Sequence, residues 1–311
     1  MWMSKIAVVG DVMLDHAVYY TTTWRINPEN PLVPLLNNKS KTEEWKLGWA
    51  GNLAANVAWM IGNVLLIGAY NEEDPHSSMI TQLCTDHHVT FTWLPTHTQA
   101  IIKEREYIDK RYHTRKDDED ENWIHIDELD KHHIDMLLNQ HGLSHIVISD
   151  YAKWTIDQQL VDILKSYSRK RNIHLLADTK PKNLSMYHDI FLLKPNFSEF
   201  CEMIGKTIPN TNDAIEAAWK DFVAAYGSNL VVTRWDKGAT VITKDGTTEH
   251  LFTEANEVGD VTGAGDTFLA WLVVWLTEKM SLTDAVRYGN KASGIAVTRR
   301  WTTVVTKDDM S

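Results

Sequence analysis

The chain has 311 residues, of which 43% are hydrophobic and 23% are charged, and its formal net charge is −11. This composition is that of a folded globular protein and excludes a disordered chain, while the acidic balance excludes a protein whose main task is to neutralise nucleic-acid phosphates. Any anionic substrate must therefore be bound by a local cluster of basic residues.

Short apolar runs bounded by Gly or Asp alternate with stretches of helical period along the chain. This alternation predicts βαβ units, and therefore an α/β fold with a mostly parallel sheet covered by helices on both faces. In such sheets ligands bind beyond the carboxyl ends of the strands, so functional residues are expected directly after the apolar runs. The predicted strands are Ile6–Val9, Val64–Ile67, Ile146–Ile148, His174–Ala177, Ile190–Leu193 and Leu230–Thr233, and the predicted helices include Ala54–Ile61, Ile156–Arg171 and Asp213–Tyr226.

Two regions break this alternation. Residues 15–49 contain three consecutive threonines and three prolines without a helical period, and residues 90–115 are rich in Thr, Tyr and charge. Because both indicate extended chain, we predict that they form a small β appendage. No repeat or linker separates independent domains, so residues 1–311 are predicted to be one domain with this appendage inserted.

The cysteine content and the apolar runs predict the compartment. Cys84 and Cys201 are the only cysteines, which excludes a disulfide scaffold or zinc ribbon and favours a reducing environment. The first residues lead directly into a strand pattern rather than a signal peptide, and the longest apolar run, Phe268–Leu276, is about half of a membrane span. We therefore expect a cytoplasmic protein with neither a membrane nor a nucleic-acid partner.

The segment Asp260–Thr267 carries the clearest chemical signal. The small residues of Gly263-Ala264-Gly265 permit a tight turn, and the apolar run behind them predicts a buried helix whose N-terminal N–H groups would bind an anion. Asp266 then lies beside these donors, a pairing suited to phosphoryl transfer, in which a carboxylate accepts a hydroxyl proton. Composition alone equally allows a plain helix cap at Asp266.

The motif D-x-T-G-A-G-D-T at Asp260–Thr267 resembles the C-terminal signature of the ribokinase-like (PfkB) sugar kinases. The resemblance extends over nearly the whole chain and includes the heptose 7-phosphate kinases of the ADP-heptose pathway. Seven further motifs of that group are matched in order by Gly10–Asp15, Arg25–Pro31, Ala54–Ala58, Ser149–Lys153, Asp178–Lys180, Pro195–Phe200 and Val232–Arg234 with Gly238.

The resemblance implies a ribokinase-like three-layer αβα sandwich with a small β lid, formed by about residues 15–49 and 90–115, through which two copies form a homodimer. The implied reaction is ATP-dependent, Mg²⁺-assisted phosphoryl transfer to the anomeric hydroxyl of the sugar phosphate D-glycero-D-manno-heptose 7-phosphate, giving the 1,7-bisphosphate. A monovalent cation is a further cofactor candidate that the sequence leaves open.

The resemblance also implies a role for individual residues. Asp266 would be the catalytic base, and the backbone of Gly263, Ala264 and Gly265 would form the anion hole. Asn196 and Glu199 would organise Mg²⁺ through water, although without the resemblance they would be interpreted as a helix cap and its capping-box partner. The residues implied along the nucleotide are Asn196, Glu199, Thr233, Arg234, Gly238, Thr262 and Asn290.

On the sugar side, Asp15, Gly51 and Asn56 are expected to hold the acceptor. The substrate phosphate requires a cation, and Lys180, directly after a predicted strand, is the strongest candidate for that role. A solvated surface position remains the alternative for each basic residue, since Lys and Arg are mostly exposed. The candidates are Arg25, Lys103, Arg105, Lys153 and Lys180.

The chain departs from the related kinases at several positions. They normally carry Gly-Gly before A-A-N, whereas here the order is Gly51-Asn52-Leu53-Ala54-Ala55-Asn56, with larger residues and altered spacing. Trp49, Trp154 and Trp271 fall in or beside motifs where smaller residues are usual, and Arg299–Trp301 replaces a small, Gly-containing stretch. A kinase of the same fold for another sugar, and a catalytically silent sugar- or nucleotide-binding protein, therefore remain alternatives.

Overall fold

A computed structural model describes residues 5–23, 25–33, 35–118, 131–153, 155–253, 260–299 and 302–310. The strands are β1 (Ile6–Gly10), β2 (Val12–Thr22), β3 (Leu36–Trp49), β4 (Val64–Tyr70), β5 (Val89–Pro95), β6 (Ile101–Ile108), β7 (Arg111–Asp118), β8 (His145–Asp150), β9 (His174–Thr179), β10 (Leu192–Leu193), β11 (Asn229–Thr233), β12 (Ala239–Ile242) and β13 (Thr248–Leu251). The helices are α1 (Ala50–Ile61), α2 (Pro75–Asp86), α3 (Lys131–Asn139), α4 (Gln158–Arg171), α5 (Phe197–Met203), α6 (Asn212–Tyr226), α7 (Ala264–Thr277) and α8 (Leu282–Ala296). Across these described ranges, every helix is too short or too polar to cross a lipid bilayer.

The larger sheet has nine strands in the order β13-β12-β11-β10-β9-β8-β1-β4-β5. Neighbouring strands of this sheet run parallel, except that β12 runs antiparallel to both β11 and β13. From β1 the chain proceeds outward through β4 and β5, and from β8 it proceeds in the opposite direction. The strand order therefore reverses between β1 and β8, which is where open α/β sheets place their ligands.

Helices cover both faces of this sheet, as the alternating pattern predicts. One face packs against α1, α7 and α8, with Val8, Leu66 and Leu269 completely buried. The other face packs against α4 and α6, with Val9, Ile148 and Leu164 completely buried. Successive strand residues point to opposite faces, so a sheet buried on both sides has the continuous apolar runs seen in the sequence.

The predicted strands of the large sheet are confirmed, although Ile190–Leu193 is shortened to Leu192–Leu193, and the helix predicted from Ile156 begins at Gln158. One lid boundary and the start of α1 also differ from prediction. Residues 90–95 were assigned to the lid, whereas Val89–Pro95 is the edge strand β5, paired in parallel with β4 after α2. Buried Val89 and Leu94 anchor it there. Helix α1 begins at Ala50 rather than Ala54, because its first turn is buried as deeply as the rest.

The second sheet contains four strands in the order β3-β2-β6-β7. It joins the rest of the molecule at two tight connections, one at Asp11 between β1 and β2 and one at the step from Trp49 to Ala50 between β3 and α1. The backbone N–H of Ala50 donates to the carbonyl of Asp11 at 3.1 Å, so the two connections are hydrogen-bonded to each other. This arrangement places one end of the second sheet beside the reversal point.

Candidate active site

The residues directly after β1 and β8 form a buried polar network at the reversal point. The carboxylate of Asp11 accepts hydrogen bonds from the backbone N–H groups of Tyr151, Lys153 and Thr155, at 2.8, 3.1 and 3.1 Å. Asp150, the last residue of β8, accepts from the backbone N–H of Ala152 at 2.8 Å and from the hydroxyl of Tyr187 at 2.7 Å. Together these carboxylates fix the loop that follows β8.

Replacing Asp11 by asparagine is expected to lower the free energy of unfolding by about 2–4 kcal/mol, because an amide cannot accept all three N–H groups and leaves buried donors unpaired. Urea unfolding monitored by circular dichroism measures this change. Asp162→Asn, on the exposed side of α4, is the matched control and should change stability by less than about 0.5 kcal/mol. Equal stability of Asp11→Asn and the native chain would contradict the structural role of Asp11.

Asp266 lies in the first turn of α7 and is 3% exposed. Its Oδ2 accepts from Nδ2 of Asn52 at 3.0 Å, and its Oδ1 accepts from the hydroxyl of Tyr151 at 3.0 Å. Gly263 caps the helix with φ +75°, and a Cβ there would lie 2.7 Å from Nδ2 of Asn52. Glycine is therefore required both by the backbone conformation and by the neighbouring amide.

The environment of Asp266 adjusts its proton affinity. Burial raises its pKa from 3.8 to about 7, while the hydrogen bonds from Asn52 and Tyr151 oppose that rise. Burial, with the charges of Asp266 and Asp178, raises the pKa of Tyr151 well above its usual value, so the Tyr151 hydroxyl remains a donor. A carboxyl group that titrates near neutral pH is suited to accept a proton during a reaction.

A cavity of about 530 Å³ opens in front of the N-terminus of α7. Lys194, only 3% exposed, projects into it, and its Nζ pairs with Oδ2 of Asp178 at 2.8 Å. A Cβ on Gly265 would be 3.8 Å from this Nζ, so the ammonium faces the first helical turn. The N–H of Ala264 donates to the carbonyl of Val261 at 3.3 Å, so the predicted anion hole depends more on Gly265 and Lys194.

Lys180 and Glu199 form an ion pair at 2.6 Å on the same cavity wall. Burial lowers the pKa of Lys180, but the Glu199 and Asp178 carboxylates raise it by more, so its ammonium stays charged. Lys180 therefore lies on the side of the predicted nucleotide residues. It is the only one of the five basic candidates for the sugar phosphate that lines this cavity among the described residues.

Asn196 and Glu199 form a capping box at the start of α5, as predicted for these two residues without the family resemblance. Both residues also line the cavity. No group of three or more His, Cys, Asp or Glu side chains in the described part of the chain could hold a metal by itself. Mg²⁺ keeps several waters and takes few protein ligands, so these oxygen donors fit a hydrated ion held mainly by nucleotide phosphates.

The other predicted nucleotide residues separate into two groups. Thr233, Gly238 and Asn290 line the cavity. Arg234 does not line it; its Nε donates to Asn210, in the loop before α6, at 2.8 Å, and its Nη1 donates to Asn212, the first residue of α6, at 2.7 Å. Thr262 donates its hydroxyl to Asp260 at 2.7 Å and supports the turn before α7.

The predicted sugar residues of the second sheet lie on the strands nearest the reversal point. Asp15 is completely buried and forms an ion pair with Arg105, so this guanidinium already has a carboxylate partner. Lys103 lies 4.5 Å from the ring of Trp49 and 3.8 Å from a carboxylate oxygen of Asp117.

The remaining predicted sugar residues are distributed around these strands. Lys153 lies in the loop after β8, and Arg25 is exposed beyond the end of β2. Gly51 and Asn56 are buried within α1. The amide nitrogen of Asn56 donates to Asn52 and its oxygen accepts from the N–H of Val305, so Asn56 supports the site from beneath rather than lining it.

The substituted tryptophans have different surroundings. Trp271 is 1% exposed inside α7, so its bulk repacks the core. Trp49 stacks on Tyr151 with 4.6 Å between ring centroids and forms an aromatic wall beside Asp266. Trp154, Arg300 and Trp301 lie outside the described residues.

Five residues of this arrangement were not predicted as site residues: Asp11, Asn52, Tyr151, Asp178 and Lys194. A signal existed for Lys194 and Asp178, because each follows or ends an apolar run of the parallel sheet. Tyr151 lies within a matched motif. Asn52 lies in the segment that departs from the Gly-Gly pattern, but its contact with Asp266 depends on the packing of α1 against α7, which no local pattern shows.

A sequence profile described as the pfkB family carbohydrate kinases matches residues 3–308. Among curated proteins, the bifunctional protein HldE of Pasteurella multocida is 32% identical over 305 residues, covering 97% of this chain and 62% of the relative. HldE of Escherichia coli is 33% identical over 304 residues, covering 96% and 61%. The chain thus spans about three-fifths of the length of these relatives.

Solved structures confirm the fold. Phosphofructokinase-2 from Escherichia coli in complex with fructose-6-phosphate superimposes with a TM-score of 0.77 at 17% identity, covering 99% of this chain and 96% of that one. Ribokinase from Arabidopsis thaliana complexed with ribose and ATP gives a TM-score of 0.73 at 18% identity, covering 99% and 97%. The predicted ribokinase-like αβα architecture is therefore correct.

Proposed function

Because the chain belongs to the pfkB family of carbohydrate kinases, we propose that it transfers the γ-phosphoryl group of ATP to the anomeric hydroxyl of D-glycero-D-manno-heptose 7-phosphate. The observation that carries the reaction class is the buried carboxylate of Asp266 at the N-terminus of α7, next to a cavity that contains Lys194. The heptose is favoured by the motif resemblance and by the HldE relatives.

In this mechanism Asp266 accepts the proton of the acceptor hydroxyl as its oxygen bonds to the γ-phosphorus. The bond between that phosphorus and the β,γ-bridging oxygen breaks, and ADP carries away the electron pair. Lys194 and the N–H groups of the first turn of α7 stabilise the negative charge on the transferring group. The products are the 1,7-bisphosphate and ADP.

The nucleotide is proposed to occupy the cavity lined by Thr233, Gly238 and Asn290. Glu199 and Asn196 would hold a hydrated Mg²⁺, which supplies positive charge to the phosphates. A monovalent cation is proposed by analogy with phosphofructokinase-2 from Escherichia coli, which has a structure in complex with potassium. Arg234 and Thr262 would contribute by fixing the loops on either side of the nucleotide.

The sugar is proposed to lie against Asp15 and the Trp49 wall, close to Asp266. Lys103, which lies 4.5 Å from the ring of Trp49, is proposed to bind its distal phosphate, with Lys153 and Arg25 as further candidates. Arg105 pairs with Asp15, and Lys180 pairs with Glu199 on the nucleotide side. The second sheet would act as a lid that excludes water during transfer. We further propose that the chain is one domain and forms a homodimer through this sheet.

A substrate panel tests the proposed function. Purified protein is incubated with ATP, Mg²⁺ and equal concentrations of heptose 7-phosphate, fructose 6-phosphate, ribose and glucose, and ADP release is measured by a coupled assay. We expect kcat/KM for the heptose phosphate to exceed that for ribose and glucose by at least about 10²-fold, because these two sugars lack the charged group that has a dedicated partner. It should also exceed kcat/KM for fructose 6-phosphate, which carries a phosphate on a different sugar.

Two other outcomes would replace the proposal. Preference for another sugar would retain the kinase mechanism and reject the heptose. Nucleotide binding without ADP release for any sugar would favour a silent binding protein on the same scaffold.

A further inference from the structure

The carboxylate of Asp266 is held between donors from two different elements. Asn52, on the first turn of α1 and 3% exposed, donates to Oδ2, and Tyr151, from the loop after β8, donates to Oδ1. Both distances are 3.0 Å. With one donor on each oxygen, rotation of the carboxylate about its last side-chain bond would break a buried hydrogen bond, so its orientation is fixed.

The orientation of the Asn52 amide follows from a chain of hydrogen bonds that begins at the backbone. The N–H of Val305 donates to Oδ1 of Asn56 at 3.2 Å, which directs the NH₂ group of Asn56 toward Asn52. That NH₂ group donates to the backbone oxygen of Asn52 at 3.0 Å and to its Oδ1 at 3.3 Å. The remaining end of Asn52, its own NH₂ group, must then face Asp266, where it can only donate.

We infer that Asn52 is a positioning residue that holds the Asp266 carboxylate in one orientation and favours its ionised form. The inference rests on the proposed role of Asp266 as the base. Asn52 lies in the segment where the related kinases carry two glycines, and a glycine has no side chain that could make this hydrogen bond. The chain therefore contains a support for its base that a Gly-Gly sequence lacks.

The groups that face Asp266 come from several elements. Burial is the main influence on its pKa and raises it, Asp178 at the end of β9 also raises it, and Asn52, Tyr151 and Lys194 lower it, with a net pKa of about 7. Of the groups that lower the pKa of Asp266, Asn52 has the largest effect. Removing the amide should therefore move the titration of Asp266 to higher pH.

The kinetic test uses Asn52→Ala and Asn52→Gly in the full chain. Loss of a hydrogen bond to a charged group should shift the acid limb of the kcat/KM profile upward by about one pH unit, and should lower kcat about tenfold at pH 6.5 with much of it recovered at pH 9. The KM for ATP should stay within about twofold, because Asn52 does not line the nucleotide cavity. Asn229→Ala, at the amino end of β11, is the matched control and should leave the profile unchanged.

A second measurement does not require turnover. Asp266 binds its proton more tightly in the folded chain, at a pKa of about 7 against 3.8, so folding stability should fall as pH rises between these values and then level off. In Asn52→Ala the fall should continue above pH 7, which adds about a tenfold decrease in the folding equilibrium constant between pH 7 and 9. Introducing Asp266→Asn into both backgrounds should make the two stability profiles parallel.

The inference would be overturned if the native chain and Asn52→Ala showed the same dependence of stability on pH, provided that circular dichroism shows both proteins to be folded. A lower kcat that is independent of pH would also overturn it, since that pattern indicates a general packing defect. If no sugar supports ADP release in the native chain, the proposed function fails, while the stability measurement still decides whether Asn52 controls the protonation of Asp266.

Discussion

Asp266→Asn should reduce phosphoryl transfer by about 10²–10⁴-fold, because an amide cannot accept the proton of the acceptor hydroxyl. The side chain keeps its volume and can still accept one of its two hydrogen bonds, so nucleotide affinity should change by less than about threefold. Initial rates with the best sugar of the panel and calorimetric titration with ATP measure the two quantities separately. Both quantities are measured because a variant whose site had collapsed would lose nucleotide affinity as well as turnover.

Asp213→Asn is the matched control for this variant. Asp213 also lies in the first turn of a helix, α6, but it is exposed. Its replacement should leave kcat within about twofold. Turnover by Asp266→Asn at more than about a tenth of the native rate would remove Asp266 from the role of base, whatever the behaviour of the control.

Lys194→Met should reduce both stability and turnover. Removing one member of a buried ion pair leaves the Asp178 carboxylate without its partner, which should lower the free energy of unfolding by about 3–5 kcal/mol. The loss of a preorganised positive charge facing α7 should lower kcat by about 10²–10³-fold, as removal of one oxyanion donor does elsewhere. Chemical unfolding and initial rates at saturating ATP measure these effects.

The double variant Asp178→Asn with Lys194→Met separates the two contributions. It removes the unpaired buried charge, so at least half of the lost stability should return, whereas turnover should remain low because no cation faces the anion site. Lys170→Met, on the exposed last turn of α4, controls for the loss of one positive charge. Recovery of turnover in the double variant would assign Lys194 a purely structural role.

The parts of this molecule that were predicted from the sequence are those determined locally. The strand Ile6–Gly10 is a buried apolar run, and the turn at Gly263 precedes an apolar stretch long enough for a helix. Each signal lies within about fifteen residues, so pattern and propensity suffice to find it. The Thr, Tyr and charge content of residues 90–115 predicts one extended segment of the lid, and it does not show that residues 90–95 pair with β4 instead.

The parts that could not be predicted depend on contacts between distant segments. Asn52 and Asp266 are far apart in sequence and meet only because α1 packs against α7. Asp15 and Arg105 were each expected to contact the substrate, but parallel pairing of β2 with β6 brings them together as an ion pair. Residue types identify candidates for binding, whereas the fold decides which of them bind each other.

The connections between the two sheets have a consequence for local unfolding. The chain passes from β1 to β2 at Asp11 and from β3 to α1 at Trp49, and the hydrogen bond from Ala50 to Asp11 joins these points. Opening the second sheet therefore strains the first turn of α1, which carries Asn52. The sheet and that turn should open as one cooperative unit. Under the proposed function, an opening that admits a sugar would therefore also loosen the hydrogen bond from Asn52 to the Asp266 carboxylate.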